Sequence, residues 1–168
     1  MREKHVLSKV ICNTSPIQYL YQLNLLHILP KLVGQVIIPS AVIKELEVGR
    51  KLGMNLPDLT TLDWVTIQSP SNLSALALVI NLGPGETEVL MLALESDDPI
   101  VILDDALARR MAKMLKIRLT GTLGLLIDAK NAGLIATVEP VLNQLQTLRF
   151  RLAPKTRTEV LRMANELP

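Results

Sequence analysis

Short, wholly aliphatic runs separated by stretches of helical periodicity leave this chain few folds to choose from. Ile100 to Leu103 has no polar residue on either side of its pleat, the pattern of a parallel strand covered on both faces. Val10-Ile11-Cys12, Gln35 to Ile38 and Ile117 to Leu119 read as further strands, and Trp64 to Ile67 as an edge strand. Helical segments fall between them. Thr14-Ser15-Pro16 gives a cap residue and then proline in the first turn, and the helix carries Ile17, Leu20, Tyr21 and Leu25 on its core side. Ser40 is placed to cap a second helix with Val42, Ile43 and Leu46 inward. Gly49 to Leu59 reads as loop, and a short helix is expected around Ala75 to Ile80. Glu86 to Glu95, Ala106 to Leu115, Gly121 to Ala132, Val138 to Leu148 and the tail from Pro154 complete the helices. Strand–helix alternation of this kind predicts a doubly wound α/β fold with a central parallel sheet.

With 168 residues, 49% of them hydrophobic, the chain suits one domain and can bury a core without staples. The expected division is a core over about residues 10–150 with a helical extension over 151–168. One cysteine, Cys12, excludes an internal disulfide framework and a cysteine-rich zinc site. The charged start lacks the apolar region of a signal peptide, and no segment approaches the ~20 apolar residues of a membrane span. A cytoplasmic setting with no membrane role follows. A net charge of +2 is too small to argue for nucleic acid, although Arg109, Arg110, Lys113, Lys116 and Arg118 gather locally. Aromatic residues make up only 2% of the chain, so any nucleic-acid contact would rest on the phosphate backbone and weaken with salt.

In open parallel sheets, ligands bind beyond the carboxyl ends of the strands. Asn13, Thr14 and Ser15 follow the first strand, Asp104 and Asp105 the fourth, and Thr120-Gly121-Thr122 the fifth. Glu45 lies in the second turn of one helix, and Glu86 and Glu88 open another. Carboxylates crowded together repel one another unless a hard cation such as Mg2+ or Mn2+ holds them. Each also has a local explanation. Glu86 and Glu88 favour a helix dipole, Asp105 suits an N-cap, Asn13 a turn, and Glu45 an ion pair with Lys44 or Arg50. No phosphate loop, GxGxxG motif or nucleophile–histidine pair is visible, and His27 reads as a partly buried helix residue.

Five segments together resemble the PIN-domain family, in its VapC-like branch of nucleic-acid-binding proteins. They are Val10-Ile11-Cys12-Asn13-Thr14-Ser15-Pro16; Ile38-Pro39 with Val42-Ile43-Lys44-Glu45-Leu46; Leu82-Gly83-Pro84-Gly85-Glu86-Thr87-Glu88; Val101-Ile102-Leu103-Asp104-Asp105 with Ala108-Arg109; and Thr120-Gly121-Thr122-Leu123-Gly124-Leu125-Leu126. The resemblance spans Val10 to Phe150. It implies a three-layer α/β/α sandwich and an acidic Mg2+- or Mn2+-dependent ribonuclease site, in a family where many members are toxins paired with an antitoxin and form homodimers. Carried over, Glu45, Glu86, Asp104 and Asp105 become the catalytic acids. Together with Asn13 they become the metal ligands, with either aspartate open to the main role. Thr14 and Thr120 match the family's hydroxyl positions nearby, and Arg109 and Arg110 are candidates for steering the RNA backbone, so all four are candidate substrate contacts.

Asn13 departs from the pattern, which has aspartate there. An amide oxygen can ligate a cation but brings no charge, so metal affinity and hydrolysis should both weaken. The resemblance therefore implies a toxin-like endoribonuclease, attenuated at Asn13, that leaves a 3′-hydroxyl and a 5′-phosphate. The alternatives are an inactive PIN-fold module that binds RNA or protein, and a phosphate-accepting regulatory domain. High aliphatic content predicts apolar surface covered by a second copy or an antitoxin.

Overall fold

The computed structural model describes residues 8–72 and 81–167. Strands β1 (Lys9–Cys12), β2 (Val36–Pro39), β3 (Val65–Gln68), β4 (Pro99–Ile102) and β5 (Arg118–Thr120) form one sheet in the order β3-β2-β1-β4-β5. Every neighbouring pair is parallel. Helices α1 (Thr14–Gln22), α2 (Ile28–Val33), α3 (Ser40–Lys51), α4 (Pro84–Leu94), α5 (Ala106–Met114), α6 (Thr122–Asn131), α7 (Glu139–Thr147) and α8 (Pro154–Met163) supply the outer layers. The three-layer α/β/α sandwich expected from the sequence is the fold found.

Strand alternation sorts the core into two halves. Val10, Cys12, Val36, Ile38 and Ile102 face one side, where they meet Ile17 and Leu20 of α1, Val42 and Leu46 of α3, and Leu125 and Leu126 of α6. Ile11, Val101 and Leu103 face the other side, against α4 and α5. Helix α4 is buried from Val89 through Ala93 because it packs on the sheet and between α3 and α5. A run apolar on every face is the expected sequence for that half of the helix, while Glu86 and Glu88 occupy its first turns.

Several boundaries differ from the sequence reading, each for a local reason. The first helix stops at Gln22 because Asn24 adopts φ 57°, and a separate α2 follows. His27 lies in the exposed turn before α2 and is not a partly buried helix residue. Helix α3 runs on to Lys51, into the stretch expected to be loop. Ser40 does not cap α3; it is the first helical residue. Its hydroxyl and the Ala41 N–H both donate to Glu88 of α4, at 2.9 and 3.1 Å. The helix expected around Ala75 to Ile80 lies outside the described residues.

The C-terminal helix is tied to the sheet side of the molecule. Val160, Leu161 and Ala164 belong to the same core cluster as β1 and β2. Beyond them Glu166 accepts from the backbone N–H groups of Val138 and Glu139 at 2.7 and 3.0 Å, and pairs with Lys130 at 3.1 Å. Desolvation pushes the Glu166 carboxyl up, but those donors and the Lys130 charge outweigh it and hold the group below the ordinary glutamate range. A lowered carboxyl adds stability above its unfolded pKa and loses it as pH falls through the folded value. Glu166→Gln should therefore melt about 2–4 °C below wild type at pH 7. Thermal melts should show the gap closing below about pH 4.

Candidate active site at the carboxyl edge of the sheet

Sheet order reverses direction between β1 and β4, so the crevice beyond their carboxyl ends is the expected ligand position. The Asn13 N–H spans that crevice to Ile102 O at 3.1 Å. Asn13 is the residue before α1 and has extended backbone, yet its side chain does not cap the helix. It turns instead toward α4, where Nδ2 donates to Glu86 Oε1 at 3.1 Å.

Glu45 reaches the same point from α3. It accepts from the Thr14 hydroxyl and, at 3.0 Å, from the Gly85 N–H. Gly85 is what lets these groups meet. A Cβ there would lie 2.7 Å from Glu45 Oε2, 2.9 Å from Glu45 Oε1 and 2.9 Å from Asn13 Oδ1. Gly83 does the same for Glu86, whose Oε2 would stand 2.7 Å from a Cβ at 83. The Gly-Pro-Gly break is thus a pair of openings for two carboxylates as well as a helix start.

Asn13 is 1% exposed, and its Oδ1 has no hydrogen-bond partner. Leaving a buried acceptor unpaired costs about 1–3 kcal/mol, and this one shares with Glu45 the space that a Cβ at position 85 would fill. An orphaned hard oxygen beside the Glu45 carboxylate, with the Glu86 carboxylate on the other end of the same amide, is a donor set that suits a hard divalent cation. Asn13, Glu45 and Glu86 fit such an ion.

Asp104 forms a second group along the same edge. Its Oδ1 accepts from the Thr122 N–H at 2.8 Å and its Oδ2 from the Thr122 hydroxyl at 2.7 Å, which fixes the start of α6. Arg109 turns inward, Nη1 donating to Leu103 O at 2.8 Å, and Gly121 leaves room for it beside Asp104. Burial pushes the Asp104 carboxyl above the ordinary aspartate range, against the pull of Thr122 and Arg109. Burial, with the Asp104 charge behind it, also raises the Cys12 thiol and the Tyr19 phenol, so both stay protonated.

The remaining sequence candidates lie elsewhere. Asp105 is exposed and caps α5, accepting from Ala108 N–H at 2.8 Å. Arg110 is exposed on α5, and the Thr120 hydroxyl packs against Gly124. The hydroxyl that holds a strand-end acid is that of Thr122, past the turn at Gly121. Among the described residues no three His, Cys, Asp or Glu side chains stand close enough to hold a metal ion. Of the four acids expected around one ion, Glu45 and Glu86 come to Asn13, Asp104 stands with Thr122, and Asp105 caps a helix; in the group at Gly85 the third oxygen is an amide.

A family model described as a PIN domain matches residues 9–166. The chain belongs to the PIN-domain family. PIN domains are generally divalent-metal-dependent nucleases, which gives the acidic edge of this PIN domain a nuclease-type setting with nucleic acid as the substrate class. No curated protein and no solved structure matches the chain. Among the described residues no helix is long and apolar enough to cross a membrane.

Proposed function

We propose that this PIN domain is a divalent-metal-dependent endoribonuclease whose cation is held by Asn13, Glu45 and Glu86, with Asp104 beside it. The observation that carries this reading is the orphaned, buried Asn13 Oδ1 beside Glu45, with Glu86 on the amide's other end, at the switch point of the sheet. A divalent cation there would polarise a phosphodiester and neutralise charge on the leaving oxygen. The chain's own residues do the positioning. Thr14 and the Gly85 N–H hold Glu45, Asn13 holds Glu86, and Thr122 fixes Asp104. What supports Asp104 over Asp105 is that Asp105 is an exposed helix cap. Arg110, exposed one turn into α5, supplies a cation for the RNA backbone, whereas Arg109 supports Leu103. Either Mg2+ or Mn2+ suits the oxygen set.

A toxin of the VapC-like branch, with an antitoxin, a homodimeric state and a cytoplasmic setting, extends the same reading. What supports a protein partner is the exposed group Val48, Leu52 and Met54 at the end of α3, with Leu52 77% exposed. The test is cleavage of a single-stranded RNA with Mn2+ or Mg2+, beside Glu45→Gln. Cleavage by wild type should stop with EDTA and fall about 100-fold or more in Glu45→Gln. Equal cleavage by that variant would mean a contaminating nuclease, and a wild type that binds RNA without cutting it would leave a binding module.

A further inference from the structure

Two half-buried carboxylates set around one enclosed side chain, Asn13, should repel each other and loosen the edge of the sheet until a cation arrives. Here they do not stand uncompensated. Glu45 has two donors, the Thr14 hydroxyl and the Gly85 N–H. Glu86 takes one from Asn13 Nδ2, 73 positions away in the chain. The Asn13 side chain is enclosed, so its donor is committed to Glu86, whose own carboxylate is half-buried. A carboxylate at position 13 could not donate there, and it would add a third negative charge to the same enclosed space.

We propose that Asn13 is a positioning residue that stands in for the cation. Its amide N–H, given to Glu86, keeps the acidic pocket assembled in the metal-free protein, while the Oδ1 at its other end is held ready as a neutral ligand. The amide explains an otherwise costly arrangement, since the geometry that aims Nδ2 at Glu86 is the geometry that strands Oδ1. Metal binding in this chain then completes a built pocket, and shifts stability less than it would in a chain where Glu86 had no donor, because both carboxylates already have hydrogen-bond partners. The inference rests on the cation-site reading only for what the amide replaces; the apo stability it asserts is independent of nuclease activity.

Thermal melts of wild type, Asn13→Asp and the double variant Asn13→Asp with Glu86→Gln test this, each in EDTA and in millimolar Mn2+. The double variant exchanges donor and acceptor. Its new amide at position 86 can give the hydrogen bond back to the new carboxylate at position 13, at unchanged net charge. In EDTA, Asn13→Asp should melt about 4 °C or more below wild type, and the double variant should recover most of that loss. Mn2+ should raise Asn13→Asp by more than it raises wild type. If Asn13→Asp does not fold in EDTA, recovery of folding by the second substitution gives the same support. Wild-type stability of Asn13→Asp in EDTA, no recovery in the double variant, or equal Mn2+ shifts in wild type and Asn13→Asp would each overturn the proposal. Absence of RNA cleavage with this pattern intact would sink the nuclease reading alone.

Discussion

Gly85→Ala should disable the enzyme and destabilise the fold, against the usual direction of that substitution. A glycine inside a helix normally gains about 0.5–1 kcal/mol on becoming alanine. Gly85 is the second residue of α4, where that gain would be expected. Its new methyl, however, would meet three oxygens within 2.9 Å, from Glu45 and Asn13. Carbon atoms do not approach oxygens that closely, so Glu45 must withdraw and give up its bonds to Thr14 and the Gly85 N–H. Losing those two bonds to a charged acceptor costs about 1.5–3 kcal/mol each, more than the helix gain, and moving a site acid by about 1 Å can cost about 100-fold in rate. Melting curves and RNA cleavage, measured on the same preparation, should both fall. Alanine at 85 with a raised melting temperature and full activity would show that Glu45 is free to move and that the pocket is not tightly built.

Asp104→Asn should separate activity from stability. Burial raises the Asp104 carboxyl above its ordinary range, so its charged form is held at a cost in the folded protein. For an acid raised in this way, stability declines as pH climbs from the unfolded pKa to the folded one, and stays level above it. Asparagine removes that charge and still satisfies Thr122, its Oδ1 accepting from the N–H and its Nδ2 donating to the hydroxyl. In EDTA at pH 7 the variant should melt at or above the wild-type temperature, and the difference should shrink below about pH 4. Cleavage should nevertheless drop by about 100-fold or more. A variant that keeps its activity would reduce Asp104 to a support for α6, and one that unfolds would mean that its charge is needed for structure.

Most of the architecture was legible in the residues because aliphatic runs such as Val101-Ile102-Leu103 have no stable place except inside a doubly covered sheet. Strand ends were also legible, since Asn13 and Asp104 stand where the apolar runs stop. Pairing among polar groups was not. Ser40 has the composition of a cap, but the donor–acceptor match that matters comes from Glu88, 48 positions away. Thr120 and Thr122 are equivalent in sequence, and only the turn into α6 decides which hydroxyl faces Asp104. Asp104 and Asp105 are adjacent acids whose roles differ because the chain turns between them into α5. Gly85 could be read as a helix breaker, but its role as the opening for Glu45 depends on α3 lying against α4. Long-range contacts of this sort leave no local trace.

A direct measurement of where a divalent ion binds bears on all of this at once. Mn2+ added to isotope-labelled protein broadens the NMR signals of nearby backbone amides, without any need for turnover. Broadening at low Mn2+ should begin at Asn13, Thr14, Glu45, Gly85 and Glu86, and then extend to Asp104 and Thr122. Broadening that begins instead around Glu47 and Asp58, the acids lining the surface cleft beside α3, or that is spread evenly over exposed carboxylates, would contradict the existence of a cation pocket at the switch point of the sheet.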